Sequence, residues 1–317
     1  MTKVTVVIRT TGEESKLKLL RVTVTSLAKQ EFKDFNLIVV TYKNKEFIEK
    51  LLRERLPQHR YKVIVSPIRN RCFQSNLGIK LADSEYVAII DDDMVLDSNW
   101  LGTMINIITY SSPKVACICS PVYPLSKIKG LSSHDTYAVL PLYQQFLEFF
   151  KRILKTLSIT STFWPKNTKI LSKKVKEIPT IPSNCMVCRR KALIDVGFYD
   201  TSLQEPLRGD DYDLGFRLRK SGYKILSYDS IKAFHIENYL VKWLGKDSRF
   251  FMNMTLTEFY VIIKHREFIG SYLILLQMLY RLIESFYWVY KNKKPTLVFS
   301  VLKGIVKGVA QGFRAKQ

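Results

Sequence analysis

Over the first ninety residues, short runs of β-branched and apolar residues take turns with segments whose apolar positions recur every three or four places. Val4–Ile8 (VTVVI) is one such run, and a turn-like TTGEES stands shortly behind it, so a buried strand is expected there. From Lys16 to Lys29 the apolar residues Leu17, Leu20, Val24 and Leu27 keep a helical spacing. Asn36–Val40, Tyr61–Val65 and Tyr86–Ile90 read as further strands, with helices at Phe47–Leu56 and Ser75–Ala82. Strand and helix in short alternation predict a parallel sheet covered by helices. Ligands bind beyond the carboxyl ends of the strands in such sheets, so candidate chemistry is expected just after each strand.

The pattern then loosens. Trp100–Thr109 reads as helix, Val115–Cys119 as strand, and Leu140–Leu157 as helix after Pro141. Between Lys151 and Lys191 stand eleven Lys/Arg against one acid, Glu177, and the SKKVKE portion reads as an exposed loop. This stretch is either a solvated basic face or a cradle for phosphate or anionic lipid. From about Val241 the chain turns helix-rich and basic. Leu273, Leu276, Leu279, Tyr280 and Ile283 form one apolar stripe. Leu297, Val298, Val301, Leu302, Ile305 and Val306 form another, with Lys303 and Lys307 on its polar side. Such helices either pack on the body or lie on a membrane surface. The most apolar window, Phe268–Tyr290, contains Gln277, Arg281 and Glu284. A bilayer crossing calls for about 20 uncharged residues, so this window is not read as a span. The expected organisation is 1–125 for nucleotide binding, 126–240 for acceptor binding and catalysis within the same domain, and 241–317 as an amphipathic helical tail.

Composition narrows the field. The chain has 317 residues, 47% hydrophobic and 25% charged, with 13 Gly and 11 Pro, which excludes a disordered or low-complexity protein. Fifty Lys/Arg against 28 Asp/Glu give a formal charge of +22, which favours an anionic partner. MTKVTVVIRT enters a strand at once, with no basic head and no long apolar stretch, so no signal peptide is expected. The expected location is the cytoplasm, with the cytoplasmic membrane face as a candidate anionic surface. The five cysteines, Cys72, Cys117, Cys119, Cys185 and Cys188, are an odd number in a long chain, which argues against a secreted disulfide framework. Cys185 and Cys188 have zinc-like spacing, but Cys117 and Cys119 do not make the second pair a tetrahedral site needs. Buried, inert thiols are expected.

Three motifs carry chemistry. Asp91-Asp92-Asp93 directly follows an apolar strand, and three adjacent acids raise one another's pKa. A helix cap needs one acid; a divalent Mg²⁺ or Mn²⁺ ion, which takes carboxylate and phosphate oxygens together, would relieve the repulsion of three. Alternate residues of an extended segment face one way, so Asp91 and Asp93 can face one site. Arg208-Gly209-Asp210-Asp211-Tyr212-Asp213 precedes a short helix that ends at Gly222. Acids there suit a helix start, and one of them can take a proton from a hydroxyl nucleophile. His235 lies in the strand-like Ser230–Ile236, downstream of both acid clusters.

In that order these motifs resemble the GT-A family 2 glycosyltransferases, inverting enzymes that use nucleotide sugars. VTVVIRT…LKLLRVTVTSLAKQEFKDFNLIVV is similar to their first strand, helix and second strand, including Ser26, Leu27 and Gln30. Ser75-Asn76-Leu77-Gly78 through YVAIIDDDMVLDSNWL is similar to their acidic block, and SNCMVCRRKALIDVGFYD to their acceptor-side segment. Gly209-Asp210-Asp211-Tyr212-Asp213-Leu214 is similar to their catalytic motif, with Asp210 in place of the usual Glu, and Ala233-Phe234-His235 matches their late His. LKGIVKGVAQGFRAK resembles the end of rhamnosyltransferase-like members. Thr41-Tyr42-Lys43-Asn44 stands where the family carries a base-binding acid, and Cys72 and Gln74 replace the usual Gly and Ala. Base recognition unlike the common uracil site is therefore expected.

The resemblance implies an α/β fold, a GT-A Rossmann-like sheet with helices on both faces and a basic helical tail. It implies Asp93, assisted by Asp91 and His235, as the holders of Mg²⁺ or Mn²⁺, and Asp92 beside the ribose or sugar. Asp211 is the implied general base, and Asp210 would orient the acceptor or the donor sugar. Arg69 or Arg71 would meet the diphosphate, Thr10 and Thr11 would line the nucleoside pocket, and Asn76 belongs to the donor side. The implied partners are a nucleoside diphosphate sugar and a glycan or polyprenol-linked acceptor. Two rival readings remain. One is a nucleotidyltransferase on the same fold, although Thr10-Thr11-Gly12-Glu13-Glu14 lacks a Gly-rich, Lys-containing phosphate loop. The other is a non-enzymatic nucleic-acid binder; no helix-turn-helix, RRM or zinc-finger pattern appears and the acid clusters repel phosphate, so no nucleic acid is expected.

Overall fold

The structure, a computed structural model, describes residues 4–57, 60–125, 169–170, 174–178, 180–181, 184–203, 205, 209–236 and 245–315. The expected helix at Leu140–Leu157, Arg208 and most of the basic stretch from Lys151 to Lys191 lie outside them. By its contacts the chain divides into two compact units. The described part of the first lies within 4–125, 169–205 and 213–236; that of the second is 209–212 and 245–315.

In the first unit the strands are β1 Val4–Thr10, β2 Phe35–Thr41, β3 Tyr61–Val65, β4 Tyr86–Asp91, β5 Met94–Leu96, β6 Val115–Cys119, β7 Val122–Pro124, β8 Lys169–Ile170, β9 Val175–Ile178, β10 Cys185–Arg189, β11 Lys224–Tyr228 and β12 Ala233–His235. The helices are α1 Glu14–Ala28, α2 Lys45–Arg53, α3 Arg71–Leu81, α4 Trp100–Tyr110, α5 Arg190–Asp195 and α6 Asp210–Lys220, whose first three residues fall in the second unit. One sheet runs β3-β2-β1-β4-β10-β6-β11-β9-β8 and a small one β5-β12-β7. The strands β3, β2, β1 and β4 are parallel, whereas β10 runs antiparallel to both β4 and β6. Every residue of β1 is buried, as are Tyr86 to Ile90 of β4, which accounts for their largely apolar, β-branched runs. The order reverses between β1 and β4, since the chain reaches β4 only after building outward to β3. That reversal opens a crevice at the carboxyl ends of these two strands.

Two expectations need correction. SKKVKE is not all exposed loop, because Val175–Ile178 forms β9, antiparallel to β11. Its charges find partners across the pairing: Lys176 with Asp229, and Glu177 with Lys224 at 3.2 Å. A polar strand near a sheet edge carries no alternating apolar signal, which is why the sequence reads as loop. The cysteines are not all thiols, either. Cys117 and Cys188 sit directly opposite each other on β6 and β10 and are joined as a disulfide, while Cys72, Cys119 and Cys185 are buried thiols outside it.

The second unit is helical, with α7 Ser248–Lys264, α8 Arg266–Ile269, α9 Ser271–Asn292 and α10 Thr296–Arg314. Gly304, Gly308 and Gly312 form a seam along α10 that packs on α7. A β-carbon on these three would stand 2.6 Å from Met252 O, 2.5 Å from Leu256 O and 2.6 Å from Ile263 Cβ, so the helices approach closer than any larger residue allows. Between α7 and α9 lies a buried polar knot. Arg281 Nη2 donates to Glu258 Oε1 at 2.8 Å, its Nε lies 2.7 Å from Oε2, and Gln277 Nε2 donates to Oε1 at 2.7 Å. Arg281 also meets Glu284, one turn on.

Candidate active site

The acids after β4 are set by their strand neighbours. Asp91 is the last residue of β4 and registers with Arg9 of β1. Arg9 is buried, and its Nε and Nη2 meet Asp91 Oδ1 at 2.9 and 2.8 Å. Its Nη1 donates to Ser75 Oγ at 2.7 Å and its guanidinium lies 5.8 Å from the centre of the Tyr199 ring. Burial works to raise the Asp91 carboxyl, but Arg9 and then Arg71 outweigh it and hold it below the usual range.

Asp92 and Asp93 leave the strand into buried surroundings. Lys16, near the start of α1, puts its ammonium 3.4 Å from Asp92 Oδ1 and 3.1 Å from Asp93 Oδ2. The other oxygen of Asp93, Oδ1, is buried without a hydrogen-bond partner and lies 3.3 Å from His235 Nε2. The β5–β12 pairing makes that meeting, since His235 registers with Met94, and Ile236 N donates to Asp93 O at 2.9 Å. Asp92 is pushed up to about 7, chiefly by burial and further by its neighbour Asp93; Lys16 and a hydrogen bond with Thr10 work against the rise.

The segment that follows the acids is pinned by α1 and the residues just after it. Met94 N donates to Thr23 Oγ1 at 3.0 Å and Leu96 N to Ser26 Oγ at 2.8 Å. Gln30 accepts from Leu101 N and donates to Asp97 O, both at 2.8 Å.

The remaining candidates take distinct places. Thr10 is buried; its carbonyl accepts from Gln74 Nε2 at 2.8 Å and its hydroxyl from Gly12 N at 3.2 Å. Thr11 pairs locally with Glu13 at 3.4 Å. Gly12 has φ +67°, and a β-carbon there would lie 2.1 Å from Lys43 O. Asn44 Nδ2 donates to Gly12 O at 2.7 Å, so the loops after β1 and β2 are stitched together. The amide of Asn76 both donates to and accepts from the Tyr199 backbone at 2.9 Å, bracing the corner that holds the Tyr199 ring over Arg9. Arg69 is half-exposed and paired with Glu13 at 3.0 Å. Arg71 opens α3, where its backbone N–H is held by Glu205 at 2.8 Å. Asp210, buried, and Asp211, half-buried with Oδ1 accepting from Tyr212 N at 3.0 Å, begin α6 and belong to the second unit.

The structure therefore brings Asp92, Asp93, His235 and Lys16 together, and turns Asp91 toward Arg9. Arg9 and Lys16 escape a motif-based reading. Arg9 had a signal, a charge inside an otherwise apolar strand beside the crevice; Lys16 had none, being one of several lysines on a surface helix. Among the described residues no three His, Cys, Asp or Glu side chains stand together as a full metal shell. Asp93 and His235 nonetheless fit a hard divalent ion, since the unpartnered carboxylate oxygen faces the imidazole and such ions take their remaining ligands from phosphate and water.

A profile of "Glycosyltransferase like family 2" matches residues 2–237. The chain belongs to that family. The curated relatives it matches are distant. A pre-mycofactocin glycosyltransferase of Mycobacterium tuberculosis, in strains CDC 1551 and H37Rv, is 26% identical over 156 residues, which is 49% of this chain and 27% of the relative. The matching part thus spans about a quarter of the length of these curated relatives. Two solved structures share the GT-A fold. GalNAc-T7, solved with UDP, GalNAc and Mn²⁺, superposes with a TM-score of 0.56 at 16% identity, over 83% of this chain and 48% of its own. The mannosyltransferase PcManGT of Pyrobaculum calidifontis, in complex with GDP-Man and Mn²⁺, gives 0.58 at 12% identity, over 99% and 88%.

Proposed function

We propose that this family 2 chain transfers a sugar from a nucleoside diphosphate sugar to a hydroxyl of a glycan or lipid-linked acceptor, with inversion and with a divalent cation bound. The observation that carries this reading is the pairing of Asp93 with His235 at the β1/β4 crevice. The nucleotide and Mn²⁺ bound in both solved neighbours support it.

Asp93 and His235 would hold the cation, which would neutralise charge developing on the departing diphosphate. Lys16 supplies fixed positive charge on the same acids, and Arg9 keeps Asp91 ionised and the loop in place. Thr10, Thr11 and the stitched Gly12–Asn44 loop would border the nucleoside. Asp92 would meet the ribose or sugar, Arg71 the diphosphate. Asp211 would accept the acceptor's proton as its oxygen bonds to the anomeric carbon and the bond to phosphate breaks, with Asp210 orienting the partners.

Asp211→Asn is expected to lower kcat by about a thousandfold while donor binding, read by calorimetry, stays nearly unchanged. Equal loss of donor binding would remove Asp211 from the base role. Full turnover in excess EDTA would remove the cation. Release of pyrophosphate instead of a nucleoside diphosphate would favour the nucleotidyltransferase reading.

A further inference from the structure

We infer that the outward faces of α9 and α10 seat on an anionic lipid bilayer and lie in its surface. The helix α9 buries polar residues beside the apolar Ile274, Tyr287 and Trp288, and leaves large apolar side chains outside. Gln277, Arg281 and Ser285 face inward and are buried. Tyr272, Leu275, Leu279, Phe286 and Tyr290 face outward and are 49% to 73% exposed. Their spacing of three, seven or four residues places all five along one side of the helix, and no ionisable Lys, Arg, Asp or Glu interrupts that line.

The same device recurs in α10. Its glycine seam faces α7, while Phe299, Leu302, Val306 and Phe313 face outward and are 39% to 73% exposed. Lys303, Lys307 and Arg314 stand exposed alongside them. Contiguous apolar faces of this extent mark an interaction surface.

Charge selects the occupant. The described surface of this unit carries eight exposed Lys/Arg against two exposed acids, Asp247 and Glu267. A second copy would set like charges against each other, whereas anionic headgroups neutralise them while the apolar side chains enter the acyl boundary. Depth follows from the same residues. Among the described residues α10 is the one helix long and apolar enough to cross a membrane by length and composition. Lys303 and Lys307 sit near its middle, where a crossing helix would place them in hydrocarbon; a helix lying flat keeps them at the headgroups. The inference does not depend on sugar transfer.

Flotation of the full chain with phosphatidylcholine vesicles, with and without phosphatidylglycerol, tests it. Co-flotation is expected with the anionic vesicles, weakening as salt rises. The triple variant Leu275→Ser, Phe286→Ser, Phe299→Ser changes only exposed positions and should lose partition by about tenfold or more while its circular dichroism is unchanged. Lys303→Glu with Lys307→Glu should abolish the preference for anionic vesicles. Three results would overturn the inference: no binding at low salt by folded protein, equal binding to neutral vesicles, or a dimer in light scattering that the triple variant dissociates, which would assign the face to a second copy.

Discussion

Both units bury acidic side chains, and they answer them differently. In the helical unit Glu258 receives Arg281 through two contacts and Gln277 through a third, all inside the chain. In the sheet unit Asp93 stands beside a second acid: Lys16 lies 3.1 Å from it and His235 3.3 Å, and its neighbour Asp92 is pushed up to about 7, chiefly by burial. A buried charge matched from within is architecture. A pair of adjacent buried acids, one of them pushed up by burial, at the carboxyl end of a parallel sheet marks the place where a ligand completes the set.

The sharpest way to break this contrast is Asp93→Asn. It should lower transfer by about a thousandfold and abolish any rise in melting temperature caused by Mn²⁺. A wild-type protein that Mn²⁺ leaves thermally unchanged would put both units in the architectural class. Arg281→Met should act on stability instead. It strands Glu258 in the helical unit and should cost about 3 to 5 kcal/mol in urea unfolding, most of it recovered when Glu258→Gln is added. A single variant as stable as wild type would show that water reaches Glu258.

The smallest expected effect is on pH dependence in EDTA. Because the folded Asp92 carboxyl titrates near 7, above its unfolded value of 3.8, the fold holds that proton more tightly than the unfolded chain. This contribution is complete below about pH 4 and is lost as pH rises toward 7, with a slope of at most about 1.4 kcal/mol per pH unit. Asp92→Asn should flatten the slope in unfolding midpoints measured across that window; an unchanged slope would assign it to another group.

The parallel half of the fold was legible because its strands are covered on both faces and so spell out apolar runs. Val4–Ile8, Asn36–Val40 and Tyr86–Ile90 each grew by only a residue or two at their ends. The acid triplet was legible for the same reason, since it follows such a run. Ser26 and Gln30 were visible as part of a resemblance, but their work, pinning the segment that follows the acids, needs the fold. Residues 175–178 were missed because a polar strand is defined by its partner. Glu258, Gln277 and Arg281 lie 19 and 23 residues apart and become a group only when two helices pack. Gln277 and Arg281, which kept the Phe268–Tyr290 window from reading as a membrane span, are buried inside the unit.

Cys117 and Cys188 are both sealed in the middle of the nine-stranded sheet. Thiol exchange needs a nucleophile to reach a sulfur, and none can until β6 and β10 part. Whichever redox state the pair holds when the strands close is therefore the state it keeps. Thiol-reactive mass tagging of the denatured, unreduced chain would read that pair as a record of the chemistry surrounding the protein at the moment of its folding, whatever surrounds it afterwards.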